Sequence, residues 1–274
     1  MIRYRSRRLV SLSLATVGAA IIVAALRRFG STLEEVAYAS GWLLAGLMVF
    51  LAIYNLRKKL TYPPLLSSSI WLQLHIYVGI LTLPLFFAHT GLRLPNGPFE
   101  VTLAALFAGV AISGILGLGL SRIIPARLAA RGEDLIFERL PIFRRQLRER
   151  AEALVVQSVR EADTTTLADL YQDRLADYFA GPRHFWRHLL HSRRPLVTTL
   201  NELEALGRYF NDAERTIAAE MADLIDAKDR LDYHHAMQGV LKGWLFVHLP
   251  LTYVLLVFVA VHAVLVYAFA GEVA

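Results

Sequence analysis

Five stretches of this 274-residue chain are apolar for long enough to cross a lipid bilayer, which takes about 20 residues as a helix. They cover residues 9–26, 37–56, 70–91, 100–121 and 243–270 and are numbered as spans one to five. With 55% hydrophobic residues and a mean hydropathy of +0.44, the composition is that of a membrane protein. We therefore expect an all-α integral membrane bundle of five transmembrane helices.

The basic residues indicate membrane orientation and not nucleic-acid binding. Residues 122–242 hold 19 Lys and Arg against 19 Asp and Glu, so the other 10 basic and 4 acidic residues account for the whole net charge of +6. Arginines at positions 3 to 8 precede span one, and Arg57 to Lys59 follow span two. The positive-inside rule then predicts a cytoplasmic N-terminus. We expect the membrane to be the bacterial inner membrane. The same basic lead would also suit a signal peptide, in which case span one is removed.

The chain divides into transmembrane helices one to four in residues 1–121, a soluble cytoplasmic insert in residues 122–241, and transmembrane helix five in residues 242–274. The insert is predicted to be helical throughout. Residues 143–160 have a helical apolar period, Pro195 is placed to open a helix, and a further helix from Asp212 runs into span five.

Two of the spans carry the same pair of histidines. His75 and His89 in span three are fourteen residues apart, and so are His248 and His262 in span five. Fourteen residues are nearly four turns, so each pair shares a helix face with about 21 Å between its members. One returning helix and the insert separate the two spans, which therefore run parallel. The matched depths pair His75 with His248 and His89 with His262.

The residues around these histidines favour haem iron over a bare metal ion. The chain has no cysteine, which excludes thiolate ligands and c-type haem attachment, and no Asp or Glu lies in the central part of any span. A bare divalent ion would bring uncompensated charge into an apolar region. A porphyrin supplies two negative charges and leaves two axial positions for neutral imidazoles. Interhelical hydrogen bonding is the alternative use of such histidines.

HxxxxxxxxxxxxxH on two parallel helices with one helix between them resembles the diheme cytochrome b superfamily. The resemblance covers roughly half of the chain, spans two to five. It implies a four-helix core holding two b-type haems, each ligated by two histidines, with His75, His89, His248 and His262 as the axial ligands. It also implies an electron-transfer subunit of an oxidoreductase complex, part of a respiratory or quinone-linked chain. Span one and the large insert depart from the family pattern, and no PEWY-type quinol-oxidation motif is present.

Several smaller features fit cofactor binding and also have simpler explanations. Gly79 lies one turn after His75, and small residues recur every fourth position in span four; both give room for a macrocycle or for close helix packing. Arg93 is placed to reach an outer propionate and Arg122 or Lys242 an inner one, or these side chains simply extend to the membrane surface. The stripe in span four comprises Ala105, Gly109, Ser113, Gly117 and Ser121.

The insert contains a second histidine group, in PRHFWRHLLHSRR. His184, His188 and His191 would share one face of a helix, as a metal site requires. The neighbouring aromatic residues and arginines favour instead an amphipathic helix on the anionic inner leaflet or a docking patch.

The sequence as a whole predicts a transmembrane electron conduit with two haem b groups. Because the outer loops are short, we expect redox subunits on the outer face and a docking partner on the insert, besides membrane lipid; a quinone is a further partner that the sequence leaves open. Two other functions stay open. One is a self-contained ferric-type reductase, although the insert lacks a glycine-rich flavin or nicotinamide fold. The other is a haem-free membrane scaffold or sensor.

Overall fold

The computed structural model describes residue 24 and residues 33–59, 67–130, 136–162 and 165–269. Apart from residue 24, the predicted span one lies outside the described residues, as do the N-terminal arginines. Within the described residues the protein is helical and contains no strand. The helices are α1 (Leu33–Lys59), α2 (Ser68–Thr90), α3 (Pro98–Ala129), α4 (Leu140–Ala162), α5 (Thr166–Leu170), α6 (Ala176–Ala180), α7 (Phe185–Leu189), α8 (Arg194–Leu206) and α9 (Asp212–Phe269).

Four of the described helices, α1, α2, α3 and α9, are long and apolar enough to cross a membrane. They correspond to the predicted spans two to five. The prediction of an all-α fold is thus confirmed within the described residues, and these four helices are consistent with an integral membrane protein. The helix predicted from Asp212 into span five is also confirmed, because α9 runs unbroken through 58 residues. Its first turns carry Asp212 and Glu214, which favour a helix N-terminus, and its second half is apolar.

The described residues fall into two compact units. Unit 1 consists of the residues up to Leu118 together with those from Trp244 onward, and unit 2 is Gly119–Gly243. Unit 1 has one apolar core to which all four long helices contribute. Its buried members are Leu44 and Met48 of α1, Leu85 of α2, Phe107 of α3 and Leu255 of α9.

The outward faces of unit 1 are also apolar. Phe246 is 80% exposed and Val264 is 66% exposed, although both lie on the same helix as the buried Leu255. A helix that is hydrophobic on every side has an apolar medium around it. Lipid contact therefore explains why these helices remain apolar away from their core.

Unit 2 has the core of a water-soluble helical protein. α4, α5, α6, α8 and the charged first half of α9 meet around Phe179, Met221 and Ile225, all fully buried. Between α5 and α6 the backbone makes one π turn, Tyr171–Leu175, and Tyr171 and Leu175 remain buried. The predicted helix at 143–160 is confirmed as α4, and Pro195 lies in the first turn of α8.

One helical prediction in the insert is wrong. His184, His188 and His191 do not share a helix face, because α7 has only five residues and includes His188 alone. His184 and His191 have φ values of 59° and 58°, in the left-handed region, and so they bracket the helix.

Candidate functional site

The structure brings the outer pair of histidines together. His89 lies in the last turn of α2, which ends where Gly91 adopts the left-handed conformation. Its ring centre is 6.1 Å from that of His262 in α9, and the two ring planes are nearly perpendicular at 87°. Phe99 of α3 stacks against His262 with 6.3 Å between ring centres. Three helices thus define the position of this pair.

A hydrogen bond determines which nitrogen of His89 is available to a ligand. Its Nδ1 lies 2.8 Å from the carbonyl oxygen of Ala37 in α1. A carbonyl only accepts, so Nδ1 carries the proton and Nε2 keeps its lone pair. Metal-ligating histidines have this arrangement, because the bond to the second nitrogen fixes both tautomer and ring orientation.

Gly41 of α1 makes room for the His89 ring. A Cβ built on Gly41 would lie 2.8 Å from His89 Cε1, closer than side-chain atoms approach one another. The glycine follows Ala37 by one helical turn, so the acceptor of the hydrogen bond and the space for the ring lie on the same side of α1. Sequence reasoning missed Gly41; its only signal was a glycine inside an apolar helix.

The two inner histidines, His75 and His248, contact different neighbouring residues. The His75 ring centre is 5.0 Å from that of Tyr54 in α1. His248 shares a 3.1 Å hydrogen bond between its Nδ1 and Ser113 Oγ of α3, and it stacks on Trp244 at 5.3 Å. Trp244 in turn donates from Nε1 to the Ser113 carbonyl at 2.8 Å. Ser113 therefore holds both the histidine and the indole that covers it.

The small residues of α3 serve contacts with α9. A Cβ on Gly117 would overlap the Trp244 ring, and one on Gly109 would lie 3.3 Å from Leu251. These two glycines therefore permit close helix packing, one of the two uses that the sequence allowed. A Cβ on Gly79 of α2, by contrast, would meet no atom within 4 Å, so the space beside this glycine is open.

The basic residues proposed as propionate partners are all exposed. Arg93 follows α2, and its backbone N–H donates to Thr90. Arg122 lies on the exposed face of α3 within unit 2. Lys242 donates to Glu138 at 2.6 Å and lies 4.0 Å from the centre of the Phe137 ring. Lys242 thus has an acidic partner of its own, and the propionate roles stay predictions.

Within the ranges that the structure describes, no group of three or more His, Cys, Asp or Glu side chains is arranged to hold a metal ion. The outer histidine pair is a different kind of candidate site, made of two imidazole rings whose centres are 6.1 Å apart. Imidazole nitrogens at about 2 Å on either side of one metal ion put the ring centres roughly 6 Å apart. The separation of His89 and His262 fits this requirement. No family model, no curated protein and no solved structure matches the chain.

Proposed function

We propose that the protein is a membrane cytochrome b that binds two b-type haems and transfers electrons across the membrane between them. His89 and His262 would ligate the outer haem, and His75 and His248 the inner one. The observation that carries the proposal is the outer pair: two rings at 6.1 Å, one of them with its Nδ1 bonded to a backbone carbonyl.

The depth of the two sites supports a path through the bilayer. Fourteen residues separate the members of each helix's pair, which corresponds to about 21 Å along the axis. The hydrocarbon layer is about 30 Å thick, so one site would lie towards each leaflet.

The surrounding charge supports a cofactor that brings its own negative charge. Residues 36–55, 68–90, 101–121 and 243–269 contain no Asp, Glu, Lys or Arg. A haem adds two porphyrin charges to balance its iron, whereas a bare ion has no counterpart in these segments. When bound, haem supplies reversible one-electron exchange at its iron. The chain's own part is to ligate through neutral imidazoles, orient the rings through Ala37 and Ser113, and exclude water.

The same reasoning extends to partners and location. We propose an inner-membrane protein with a cytoplasmic N-terminus, acting as a subunit of a respiratory or quinone-linked redox complex. The short segments that connect the spans on the outer side offer little surface, which favours a separate redox subunit or small carrier there. Unit 2 contains no glycine-rich phosphate loop, which favours docking or bracing over catalysis.

Purification of the full chain from cells supplied with haem tests the proposal. We expect two non-covalently bound haems per chain and a reduced-minus-oxidised spectrum of b type. Both centres should be low-spin, because two imidazoles fill the axial positions. Purified chain that binds no haem would refute the proposal and leave the scaffold or sensor as the better account.

A further inference from the structure

The strongest unexplained surface of unit 2 is the segment from Gly181 to Arg194, called here the arginine–tryptophan loop. Its side chains include two of the most exposed large apolar groups of the unit: Trp186 is 74% exposed and Leu190 is 81% exposed. Phe185 beside Trp186 is partly exposed as well. A soluble surface rarely leaves a tryptophan and a leucine together in water without a binding role.

The charged side chains of the loop itself are all arginines. Residues 178–201 contain four arginines and neither Asp nor Glu. Arg183 pairs with the exposed Asp177 at 3.2 Å, whereas Arg187, Arg193 and Arg194 extend from the exposed face of the loop. Apolar tips therefore project from a surface that is locally cationic.

The loop is held in this conformation by contacts behind it. His188, only 2% exposed, lies 3.9 Å from Asp229 through its Nε2, and His191 Nε2 is 3.3 Å from the Tyr233 hydroxyl. The left-handed backbone of His184 and His191 turns the chain at each end of α7. His188 and His191, which the sequence offered as metal ligands, thus anchor the loop to α9. Trp186 and Leu190 remain exposed on the surface of unit 2.

We propose that the arginine–tryptophan loop binds the surface of an anionic lipid bilayer. Tryptophan has an apolar ring and a polar N–H, and it prefers the level of the lipid headgroups. Arginines beside it attract anionic phosphates, each contributing about a fivefold gain in partitioning near the surface. Unit 2 is continuous through α3 and α9 with helices that are long and apolar enough to cross a membrane, so this covalent tether raises the effective concentration of a bilayer around unit 2. The inference does not depend on haem.

The absence of cysteine from the chain permits a direct test. The full protein carrying Leu190→Cys would bear one spin label, and it would be reconstituted in phosphatidylcholine alone or in an equal mixture with phosphatidylglycerol. Collision of the label with oxygen, which partitions into lipid, and with a water-soluble nickel chelate would then be measured. We expect nickel access to fall severalfold in the anionic bilayer.

A label at Val156→Cys provides the matched control, since Val156 is an exposed apolar residue of α4 within the same unit. It should remain accessible to nickel in both lipids. Adding Arg187→Gln, Arg193→Gln and Arg194→Gln should return the Leu190 label to its accessibility in neutral lipid. A label that stays in water in both bilayers would overturn the proposal. So would a label shielded from both reagents in both lipids, which would indicate a protein partner.

Discussion

Lys228 and Asp232 are fully buried in unit 2, where they share a hydrogen bond of 2.5 Å, and His188 lies buried beside Asp229. The apolar helices of unit 1 also partly bury ring nitrogens, yet their membrane-crossing segments contain no carboxylate. Unit 2 therefore provides Lys228 and His188 with carboxylate partners of its own. In unit 1, His89 is bonded instead to a backbone carbonyl and His248 to a hydroxyl, partners that orient neutral imidazoles and leave a second nitrogen for a ligand.

This difference separates structural polar groups from those that we propose bind a cofactor. A buried ion pair is complete without any ligand, and its loss harms folding. A neutral histidine held in one tautomer is prepared for a metal, and its loss harms the bound group. Substitutions in unit 2 should consequently change the stability of the fold, whereas substitutions beside the histidines of unit 1 should change haem binding.

The largest effect on folding is expected from Lys228→Met, which leaves the Asp232 carboxylate buried without its partner. Removing one member of a buried pair costs about 3–5 kcal/mol. Native-state proteolysis of the reconstituted full chain would report the opening of unit 2. As control, Arg215→Gln removes an exposed pair with Asp212 and should cost under about 1 kcal/mol. Equal effects of the two variants would contradict the assignment of Lys228–Asp232 as a structural pair.

Ser113→Ala is expected to act on the cofactor. It removes the hydroxyl that bonds to His248 Nδ1, and loss of such a partner costs about 10- to 100-fold in metal affinity. Haem titration of the full chain should show weaker binding at one centre, while resistance of unit 2 to proteolysis stays unchanged. Ser113→Thr keeps a hydroxyl and should restore most of the affinity. Equal haem binding by all three proteins would show that the serine has no such role.

Two glycines of α1 offer a matched comparison at the outer site. Gly41→Ala places a Cβ against the His89 ring, and crowding of this kind typically costs about 1–3 kcal/mol. Gly46→Ala meets no atom within 4 Å. We expect a shifted midpoint potential at the outer haem only in the first variant, measured by redox titration. A shift of the same size in both would mean that α1 does not position His89.

The smallest effect is a dependence of unit 2 stability on pH. Burial, followed by the nearby Arg187 and Arg183, lowers the pKa of His184 in the folded chain. The ordinary pKa of His, about 6.5, applies in the unfolded chain. As the pH is lowered through this value, the unfolded chain binds the proton more readily than the folded chain. The free energy of unfolding therefore decreases as the pH decreases, until the pH is below the pKa of the folded chain. His184→Asn tolerates the left-handed backbone and should reduce this loss between about pH 7 and pH 5 in urea unfolding. An unchanged pH profile would exclude His184 as the cause.

The sequence predicted much of the fold because apolar length and helical period are local properties. Spans two to five, α4 and the entry of α9 into span five follow from them. The π turn at Tyr171–Leu175 does not, since it depends on which residues meet the core of unit 2. The short α7 was missed for a similar reason: Asp229 and Tyr233, far along the chain, contact His188 within α7 and His191 just after it.

In the candidate site, the pairing of the histidines was predictable from the sequence, but the glycines that make room around the rings were not. Spacing and topology predicted that His89 faces His262, and the rings are brought together. The role of Gly41 depends on which side of α1 the His89 ring approaches. This is a contact between two helices, and the pattern of residues within either helix does not predict it. The use of Gly117 by Trp244 likewise arises from the register between α3 and α9.

The most direct measurement is the haem content and spectrum of four full-length variants, each with one of His75, His89, His248 and His262 replaced by alanine. The account predicts that every variant keeps about one haem. The His75 and His248 variants should share one residual spectrum and midpoint potential, and the His89 and His262 variants the other. Two haems retained in any variant, or a crossed grouping such as His75 with His262, would contradict the account.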